Sequence, residues 1–386
     1  MKILQVHNYY QLSGGEDTVV AHEKALLEEN GHEVITFYKH NDEINDYSFF
    51  KKIGLLYSTT WSQDTYNEMM EVIRTNRPNV CHVHNFLPLI SPSIYKACKD
   101  SNVPVVQTLH NYRLICTNGL FLREGKVCEE CLGKSAYHSV PKKCYRNSYA
   151  QTYTVARMIE KNKADRTWTK LVDAYFCFTE FAKSKFIASG LPDEKLIVKP
   201  NFVAAPSTEV TENNSSPYLI YVGRLEENKG IHLFMEISHQ LDLPLKIVGE
   251  GPMEEQLRGL PNIELLGKRP HEEVLQLIQH AKALLFPSLC YEGMPMTILE
   301  AFAHKTPVIA SNLGAMQTII SHQKNGLLFE ANSTEELLSF IQLLLENEEI
   351  SQEIAETAFA DFEHNYSRER NYEMLIECYN TVINKN

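Results

Sequence analysis

Short apolar runs alternate along the chain with longer segments whose apolar residues recur every three or four positions. The runs that predict buried strands cover residues 2–6, 32–38, 80–85, 103–110, 174–179, 218–224, 245–252, 265–269, 283–288 and 307–311. The segments with helical periodicity include residues 17–27, 152–172, 181–188, 334–363 and 368–383. A strand–helix–strand order of this kind predicts parallel sheets covered by helices, which is an α/β fold.

The length of the chain predicts two domains, because 386 residues exceed what one hydrophobic core normally organises. Residues 204–217 are rich in Ser, Thr, Asn and Pro and have the composition of a linker. A fresh strand begins at Tyr218. We therefore predict a first domain over residues 1–203 and a second over residues 218–364.

Charge is distributed unevenly between the two halves of the chain. The net charge is −12, with 37 basic and 49 acidic side chains. Residues 1–200 carry 25 basic and 22 acidic side chains, so that residues 201–386 carry 12 and 27. An acidic protein without a recognised nucleic-acid-binding module is not expected to bind nucleic acid.

The first residues predict the location of the protein. The chain opens on Met1-Lys2 and a strand rather than a signal peptide, which predicts a cytoplasmic protein. If the protein contacts a membrane, we expect the contact at the inner face of the plasma membrane.

Two segments of the first domain have compositions that are compatible with membrane binding. Residues 134–170 contain nine basic side chains against Glu160 and Asp165, which is typical either of a solvated helical face or of a surface that binds a membrane or a phosphorylated carrier. Residues 49–60 mix bulky apolar with basic side chains. Such a pattern fits a membrane-surface helix, but it occurs more often in a helix that packs into the core, and we predict the latter.

A loop between a strand and a helix carries the clearest candidate chemistry. Residues 291–302 follow the apolar run 283–288 and hold two carboxylates, Glu292 and Glu300, in an otherwise apolar segment. Buried carboxylates require partners. The loop would lie at the carboxyl end of its strand, where ligands bind in open α/β sheets and where the first amides of a helix are free to donate.

This segment resembles the paired-glutamate signature of family 4 glycosyltransferases, which are retaining enzymes of the GT-B fold. Glu292 and Glu300 have the spacing of that signature, although Gly293-Met294-Pro295 stands where the family usually has Gly-Phe-Gly. The resemblance implies two Rossmann-like parallel-sheet domains that face a crevice. It also implies that the helix of residues 365–386 returns to the N-terminal domain.

The resemblance extends to further motifs and implies roles for their residues. The residues implied in catalysis are His110, Glu292, Arg224 and Lys229, with the two cations stabilising the departing diphosphate. Those implied in binding the donor are Gly14, Gly15, Glu300, Gly249, Gly251, Arg269, Met294, Pro295 and Met296, and those implied at the crevice are Glu180 and Asn201. His84 also ends a strand, but a satisfied core histidine is its expected identity.

Four cysteines in the loop of residues 116–144 have metal-ligand spacing. They are Cys116, Cys128, Cys131 and Cys144, and the central Cys-x2-Cys is typical of structural zinc. Uncoordinated thiols are the alternative. No Asp-x-Asp motif ends a strand, so we expect no metal or other cofactor in the chemistry itself.

The expected activity is a hexosyl transfer from a nucleotide-diphosphate sugar, UDP rather than GDP, to a glycan or lipid-linked acceptor. The resemblance implies retention of configuration and a role in bacterial surface polysaccharide synthesis. Two alternatives remain open at this point. A non-hydrolysing nucleotide-sugar epimerase shares the fold, and a non-catalytic subunit would bind the donor without turning it over.

Overall fold

The computed structural model of the protein describes residues 1–11, 14–204 and 216–385, so that residues 205–215 of the predicted linker lie outside the described part. The strands in chain order are β1 (Lys2–Tyr9), β2 (Glu33–His40), β3 (Val80–Val83), β4 (Val105–Thr108), β5 (Leu122–Arg123), β6 (Lys126–Val127), β7 (Ala174–Cys177), β8 (Leu196–Val198), β9 (Leu219–Val222), β10 (Leu245–Val248), β11 (Ile263–Gly267), β12 (Ala283–Phe286), β13 (Val308–Ser311) and β14 (Leu327–Phe329).

The α-helices in chain order are α1 (Gly15–Glu29), α2 (Phe49–Ser58), α3 (Gln63–Asn76), α4 (Ser93–Asp100), α5 (Tyr149–Ala164), α6 (Thr167–Lys170), α7 (Glu180–Ala188), α8 (Ile231–Ile237), α9 (Glu254–Leu257), α10 (His271–Gln279), α11 (Met296–Ala303), α12 (Met316–Ile319), α13 (Thr334–Glu346), α14 (Glu348–Asn365) and α15 (Arg368–Lys385). Short polar side chains cap several of them, as where Thr179 accepts a hydrogen bond from the amide of Ala182. No helix of the described residues is long and apolar enough to cross a membrane.

The described residues form two compact units. The first comprises Met1–Phe121, Glu129–Lys199 and Asn371–Asn386, and the second comprises Leu122–Cys128 and Pro200–Arg370. Each unit is built on a six-stranded parallel sheet, with the order β2-β1-β3-β4-β7-β8 in the first and β11-β10-β9-β12-β13-β14 in the second. The predicted α/β class with two parallel-sheet domains is confirmed.

Strand order reverses at one place in each sheet, and that place determines where a ligand can bind. In the first unit β1 lies between β2 and β3, and in the second unit β9 lies between β10 and β12. At such a switch point the connections on either side leave in opposite directions, which opens a crevice beyond the carboxyl ends of the strands. Strands β12 and β13 are buried throughout, and Ile220, Leu284 and Ile309 have no exposed surface.

Several sequence predictions differ from the structure, mostly at the ends of elements. Residues 152–172 are two helices rather than one, because Arg166 adopts a left-handed conformation (φ 60°) between α5 and α6. The strand predicted over residues 265–269 is β11, which ends at Gly267. Helix α2 does not pack into a core, because none of its residues is buried.

A buried polar network holds α15, from Asn371 onward, within the first unit. Lys199 donates to a carboxylate oxygen of Glu23 at 2.7 Å and to the side-chain oxygen of Asn371 at 3.2 Å, and all three side chains are buried. The hydroxyl of Tyr379 lies 2.7 Å from Nδ1 of His82, whose Nε2 lies 2.8 Å from the hydroxyl of Thr108. These contacts join α1, β3 and α15 through ionic and polar groups that water does not reach.

Candidate active site

The loops after β9 and β12 of the second unit meet at its switch point. The amide of Leu289 donates to the carbonyl oxygen of Asn228 at 2.9 Å, and the hydroxyl of Ser288 donates to the same oxygen at 3.4 Å. These bonds connect the loop that carries Lys229 to the loop that carries Glu292. Two segments far apart in sequence are therefore fixed against each other beside the first turn of α11.

Lys229 and Glu292 form an ion pair in this position. Nζ of Lys229 lies 2.7 Å from Oε1 of Glu292, with 18% and 14% of the two side chains exposed. The same carboxylate oxygen accepts hydrogen bonds from Ser288 at 2.5 Å and from the thiol of Cys290 at 3.7 Å. The structure thus brings together two of the four predicted catalytic residues.

Both members of this pair are held in their charged forms. Burial by itself would raise the pKa of Glu292, but the charge of Lys229 and the hydrogen bonds from Lys229, Ser288 and Cys290 outweigh it and lower that pKa. Burial would lower the pKa of Lys229, and the carboxylate of Glu292 outweighs it and raises that pKa. A fixed positive charge at a sheet's switch point can neutralise an anion that develops beside it.

Glycines allow the loops of this site to approach one another. A Cβ at Gly249, where φ is +141°, would lie 1.9 Å from the carbonyl oxygen of Gly223, and a Cβ at Gly251 would lie 2.5 Å from that of Leu225. At Gly230 a Cβ would lie 2.0 Å from the carbonyl oxygen of Pro287. Gly249 and Gly251 are therefore required for packing between the loops, and their predicted contact with the donor stays a prediction.

Glu300 is buried in α11 and has a partner that the sequence did not suggest. Its Oε1 accepts a hydrogen bond from Nε2 of His271 at 2.9 Å, and this bond raises the pKa of His271. His271 is the first residue of α10 and its side chain is largely exposed. The second carboxylate of the predicted pair is therefore buried, and its partner is an exposed histidine of the same unit.

The predicted donor-binding residues 294–296 cover the end of the loop that precedes α11 and the first residue of that helix. Met294 is buried, and its sulfur accepts a hydrogen bond from the amide of Asn201 at 3.2 Å. Pro295 caps α11, which begins at Met296. The side-chain oxygen of Asn201 is buried and has no hydrogen-bond partner among the described residues. Asn201 thus packs beside this loop, and its place at the crevice stays a prediction.

The two arginines of the predicted site make other contacts in the second unit. Arg224 is 60% exposed and pairs with Glu226 at 2.9 Å. Arg269 donates to the carbonyl oxygen of Leu266 at 3.0 Å, in a cavity that Tyr218 and Lys246 also line. Neither arginine contacts Lys229 or Glu292 directly, so their roles with the donor stay predictions.

His110 and His84 pair at the switch-point edge of the first sheet. Nε2 of His110 lies 3.0 Å from Nδ1 of His84, whose Nε2 lies 3.3 Å from the side-chain amide of Gln5. His84 is buried, in agreement with the identity expected for it. Burial lowers the pKa of both histidines well below its usual value, so both imidazoles are neutral at pH 7. A neutral His110 can donate to or accept from a hydroxyl group.

An acidic cluster at the start of α1 was not predicted from the sequence. Asp17 accepts a hydrogen bond from His7 at 2.8 Å, and Oε1 of Glu16 lies 3.9 Å from the other nitrogen of His7. That oxygen of Glu16 is buried and without a hydrogen-bond partner among the described residues. Burial first, and then the charge of Asp17, raise the pKa of Glu16 from 4.5 to about 8, against the opposing charge of Arg113.

The raised pKa of Glu16 predicts a loss of stability as the pH rises. The folded state keeps a proton on this carboxyl between pH 4.5 and about 8, where the unfolded state has released it. The folded protein therefore binds more protons, and its free energy of unfolding falls through this window, by ~2–4 kcal/mol at about 1.4 kcal/mol for each tenfold difference in proton affinity. Urea unfolding at pH 5 and pH 8 should show a smaller fall for Glu16→Gln, and equal falls in both proteins would refute the assignment.

The remaining predicted residues of the first unit lie at exposed positions. A Cβ at Gly14 or at Gly15 would meet nothing within 4 Å, so these glycines are not required for packing. Open space beside their backbone is compatible with the close approach of a ligand that the sequence predicts. Glu180 begins α7 and is exposed.

All nine cysteines lie within the described residues. Cys128 belongs to the second unit, whereas Cys116, Cys131 and Cys144 belong to the first. Among the described residues, the one group of three side chains whose metal-ligating atoms lie within 4.8 Å of one another is Glu23, His82 and His84. The predicted zinc site at the four cysteines stays a prediction.

Sequence models of known protein families match both halves of the chain. The sequence model described as Glycosyltransferase Family 4 matches residues 13–205, and the one described as Glycosyl transferases group 1 matches residues 207–361. The O-antigen chain mannosyltransferase C of Escherichia coli is 27% identical over 174 residues, which are 43% of this chain and 47% of the relative. A putative colanic acid biosynthesis glycosyltransferase of E. coli K12 is 28% identical over 211 residues, or 47% and 50% of the two chains.

Other relatives are matched along their whole length. An uncharacterized glycosyltransferase of Methanocaldococcus jannaschii is 23% identical over 95% of each chain. Anabaena HepE, solved in complex with UDP, superimposes with a TM-score of 0.67 and 17% identity over 99% of this chain and 100% of the other. Sucrose-phosphate synthase from Thermosynechococcus elongatus superimposes with a TM-score of 0.72 and 15% identity over 100% of both chains. At these identities the structural likeness establishes the fold.

Proposed function

This chain belongs to glycosyltransferase family 4, and we propose that it is a retaining enzyme that moves a hexose from a nucleotide-diphosphate sugar to a hydroxyl of a glycan or lipid-linked saccharide. Relatives named for O-antigen and colanic acid synthesis support a role in building bacterial surface polysaccharide. The solved complexes of HepE with UDP and UDP-glucose support UDP as the donor nucleotide.

The Lys229–Glu292 pair carries this proposal. It places one ammonium group and one carboxylate, both largely buried, at the switch point of the second sheet. An ion pair that only stabilises the fold does not have to lie at the switch point of a sheet. A nucleotide-sugar donor, in contrast, requires a cation for its anionic diphosphate and a carboxylate that accepts hydrogen bonds from its sugar hydroxyls, side by side. The first amides of α11 lie in the same loop and add donors for phosphate or hydroxyl oxygens.

The chemistry follows from these charges. The bond between the anomeric carbon and the phosphate oxygen breaks, so positive charge develops on the sugar and negative charge on the departing diphosphate. Lys229 stabilises that negative charge, and Glu292 holds hydroxyls of the transferred sugar. The acceptor hydroxyl attacks from the side that the diphosphate leaves, and its proton passes to the departing phosphate. The anomeric configuration is then retained.

The remaining site residues bind the two substrates in this scheme. Glu300 would accept hydrogen bonds from the ribose hydroxyls, with His271 as its partner. The neutral His110 would donate to a hydroxyl of the sugar. No residue is assigned as a covalent nucleophile, and the proposed chemistry needs no metal ion.

A thermal-shift screen across uridine, guanosine and adenosine diphosphate sugars tests the donor. Binding stabilises the folded state by mass action, so we expect UDP-sugars to raise the melting temperature most. The shift should shrink in Lys229→Met and should stay unchanged in Lys305→Met, which removes a lysine from an exposed ion pair of the same unit. Equal shifts in the three proteins, or none with any nucleotide sugar, would contradict the proposal.

A further inference from the structure

Helix α2 exposes its aromatic side chains. Phe49 is 72% exposed, Phe50 is 81% exposed and Tyr57 is 66% exposed, and no residue of the helix is buried. Trp61, just beyond the helix, is 45% exposed. Exposing apolar surface to water costs free energy, so a contiguous exposed apolar patch often marks a site that binds a protein, a ligand or a membrane.

Helix α5 continues this patch within the same unit. The guanidinium of Arg157 lies 5.2 Å from the ring centre of Tyr57 and donates to the carbonyl oxygen of Leu56 at 3.3 Å. Tyr153 of α5 stacks on Tyr137 at 5.9 Å between ring centres, and both are more than 40% exposed. One aromatic surface therefore runs from α2 across α5, and we call it the α2–α5 face.

Basic side chains outnumber acidic ones on the α2–α5 face. Residues 49–61 contribute two basic side chains and residues 134–157 contribute five, and neither segment contains an acidic residue. Nζ of Lys143 lies 4.6 Å from the ring centre of Tyr149, and that of Lys51 lies 3.7 Å from the ring of Tyr47. The nearest acids in sequence are Asp46, Asp64, Glu130 and Glu160. Of these, Glu130 pairs with Lys142, and Glu160 accepts a hydrogen bond from the amide of Ala136.

We propose that the α2–α5 face binds the surface of an anionic lipid bilayer. Exposed aromatic rings interleaved with lysine and arginine are the combination that the interface of such a bilayer stabilises, since the rings enter the headgroup level and the cations meet lipid phosphates. A cavity of about 260 Å³ lies between the two helices, where Leu55, Leu56 and Val155 give apolar walls beside Lys52 and Arg146. That lining suits part of an acyl chain next to its phosphate. The inference does not depend on the proposed reaction.

Co-sedimentation with lipid vesicles tests this inference. Vesicles of phosphatidylcholine mixed with phosphatidylglycerol should sediment the protein, whereas vesicles of phosphatidylcholine alone should sediment much less of it. The variant Phe49→Ala/Phe50→Ala should bind the mixed vesicles about tenfold more weakly. Lys51→Gln and Lys143→Gln should each weaken binding about fivefold, and high salt should mimic them.

Two controls show whether the exposed rings of α2 bind the bilayer itself. Ile350→Ala removes an exposed apolar side chain from the second unit and should bind the mixed vesicles like the wild type. The Phe49→Ala/Phe50→Ala variant should melt at the temperature of the wild type, because neither ring packs in a core. Failure to bind either vesicle, or equal binding by that variant, would overturn the inference. A dimer that forms only when Phe49 and Phe50 are present, without vesicle binding, would assign the face to a second copy of this chain instead.

Discussion

Replacing Lys229 by methionine is expected to lower kcat/KM for glycosyl transfer by about 10²–10³-fold, the usual effect of removing one group that stabilises charge in a transition state. Lys229 is the one cation that contacts Glu292 among the described residues. Most of the loss should appear in kcat, because the charge on the diphosphate grows as the bond breaks. Initial rates of UDP release with a saccharide acceptor would measure it.

A double variant separates the chemical role of Lys229 from its structural role. Lys229→Met leaves Glu292 buried without its counter-ion, which should lower the free energy of unfolding. Adding Glu292→Gln removes the uncompensated charge, so Lys229→Met/Glu292→Gln should recover stability and remain inactive. Recovery of activity together with stability would show that the pair acts only in folding. Lys305→Met, from an exposed pair, should change neither quantity.

Replacing Glu23 by glutamine is expected to lower the free energy of unfolding by about 3–5 kcal/mol, because it leaves the ammonium of Lys199 buried without a counter-ion. Neither side chain has exposed surface, and they are 2.7 Å apart. The network also includes Asn371 of α15, so the loss should include weaker attachment of that helix. Urea unfolding of the whole chain, followed by circular dichroism, would give the difference.

Two further variants make this prediction specific. Glu23→Gln/Lys199→Met removes both charges and should recover most of the lost stability, since a buried ion pair can often be replaced by apolar groups without cost. Lys24→Gln breaks the neighbouring but exposed pair with Glu28 and should cost no more than about 1 kcal/mol. A cost for Glu23→Gln as small as that of Lys24→Gln would contradict the description of the network.

The apolar pattern was sufficient to predict the two sheets, because buried parallel strands are short apolar runs with helices between them. Residues 283–288, for example, form a run too short for a helix and too apolar for an exposed loop. The pattern could not give the pairing of Lys229 with Glu292, which depends on β12 lying beside β9 across a long separation in sequence. The family resemblance named both residues but not their contact.

The predictions that were wrong failed for physical reasons. An amphipathic pattern has the same period whether the apolar side packs into a core or faces outward, so residues 49–60 were assigned to the core although α2 buries none of its residues. The break at Arg166 requires a left-handed residue, and arginine gives no signal for it. Glu16 and His271 act through burial and through partners distant in sequence, which no local pattern encodes.

Proton nuclear magnetic resonance of a UDP-sugar turned over by the wild type and by Lys229→Met would test whether the enzyme transfers the sugar with retention through Lys229. With a saccharide acceptor present, we expect release of UDP and a product whose new anomeric signal has the configuration of the donor. Without acceptor, only slow hydrolysis to the sugar of that same configuration is expected, and the variant should show neither reaction. A changed sugar ring still attached to UDP, an inverted product, or equal turnover by the variant would rule out retaining transfer assisted by Lys229.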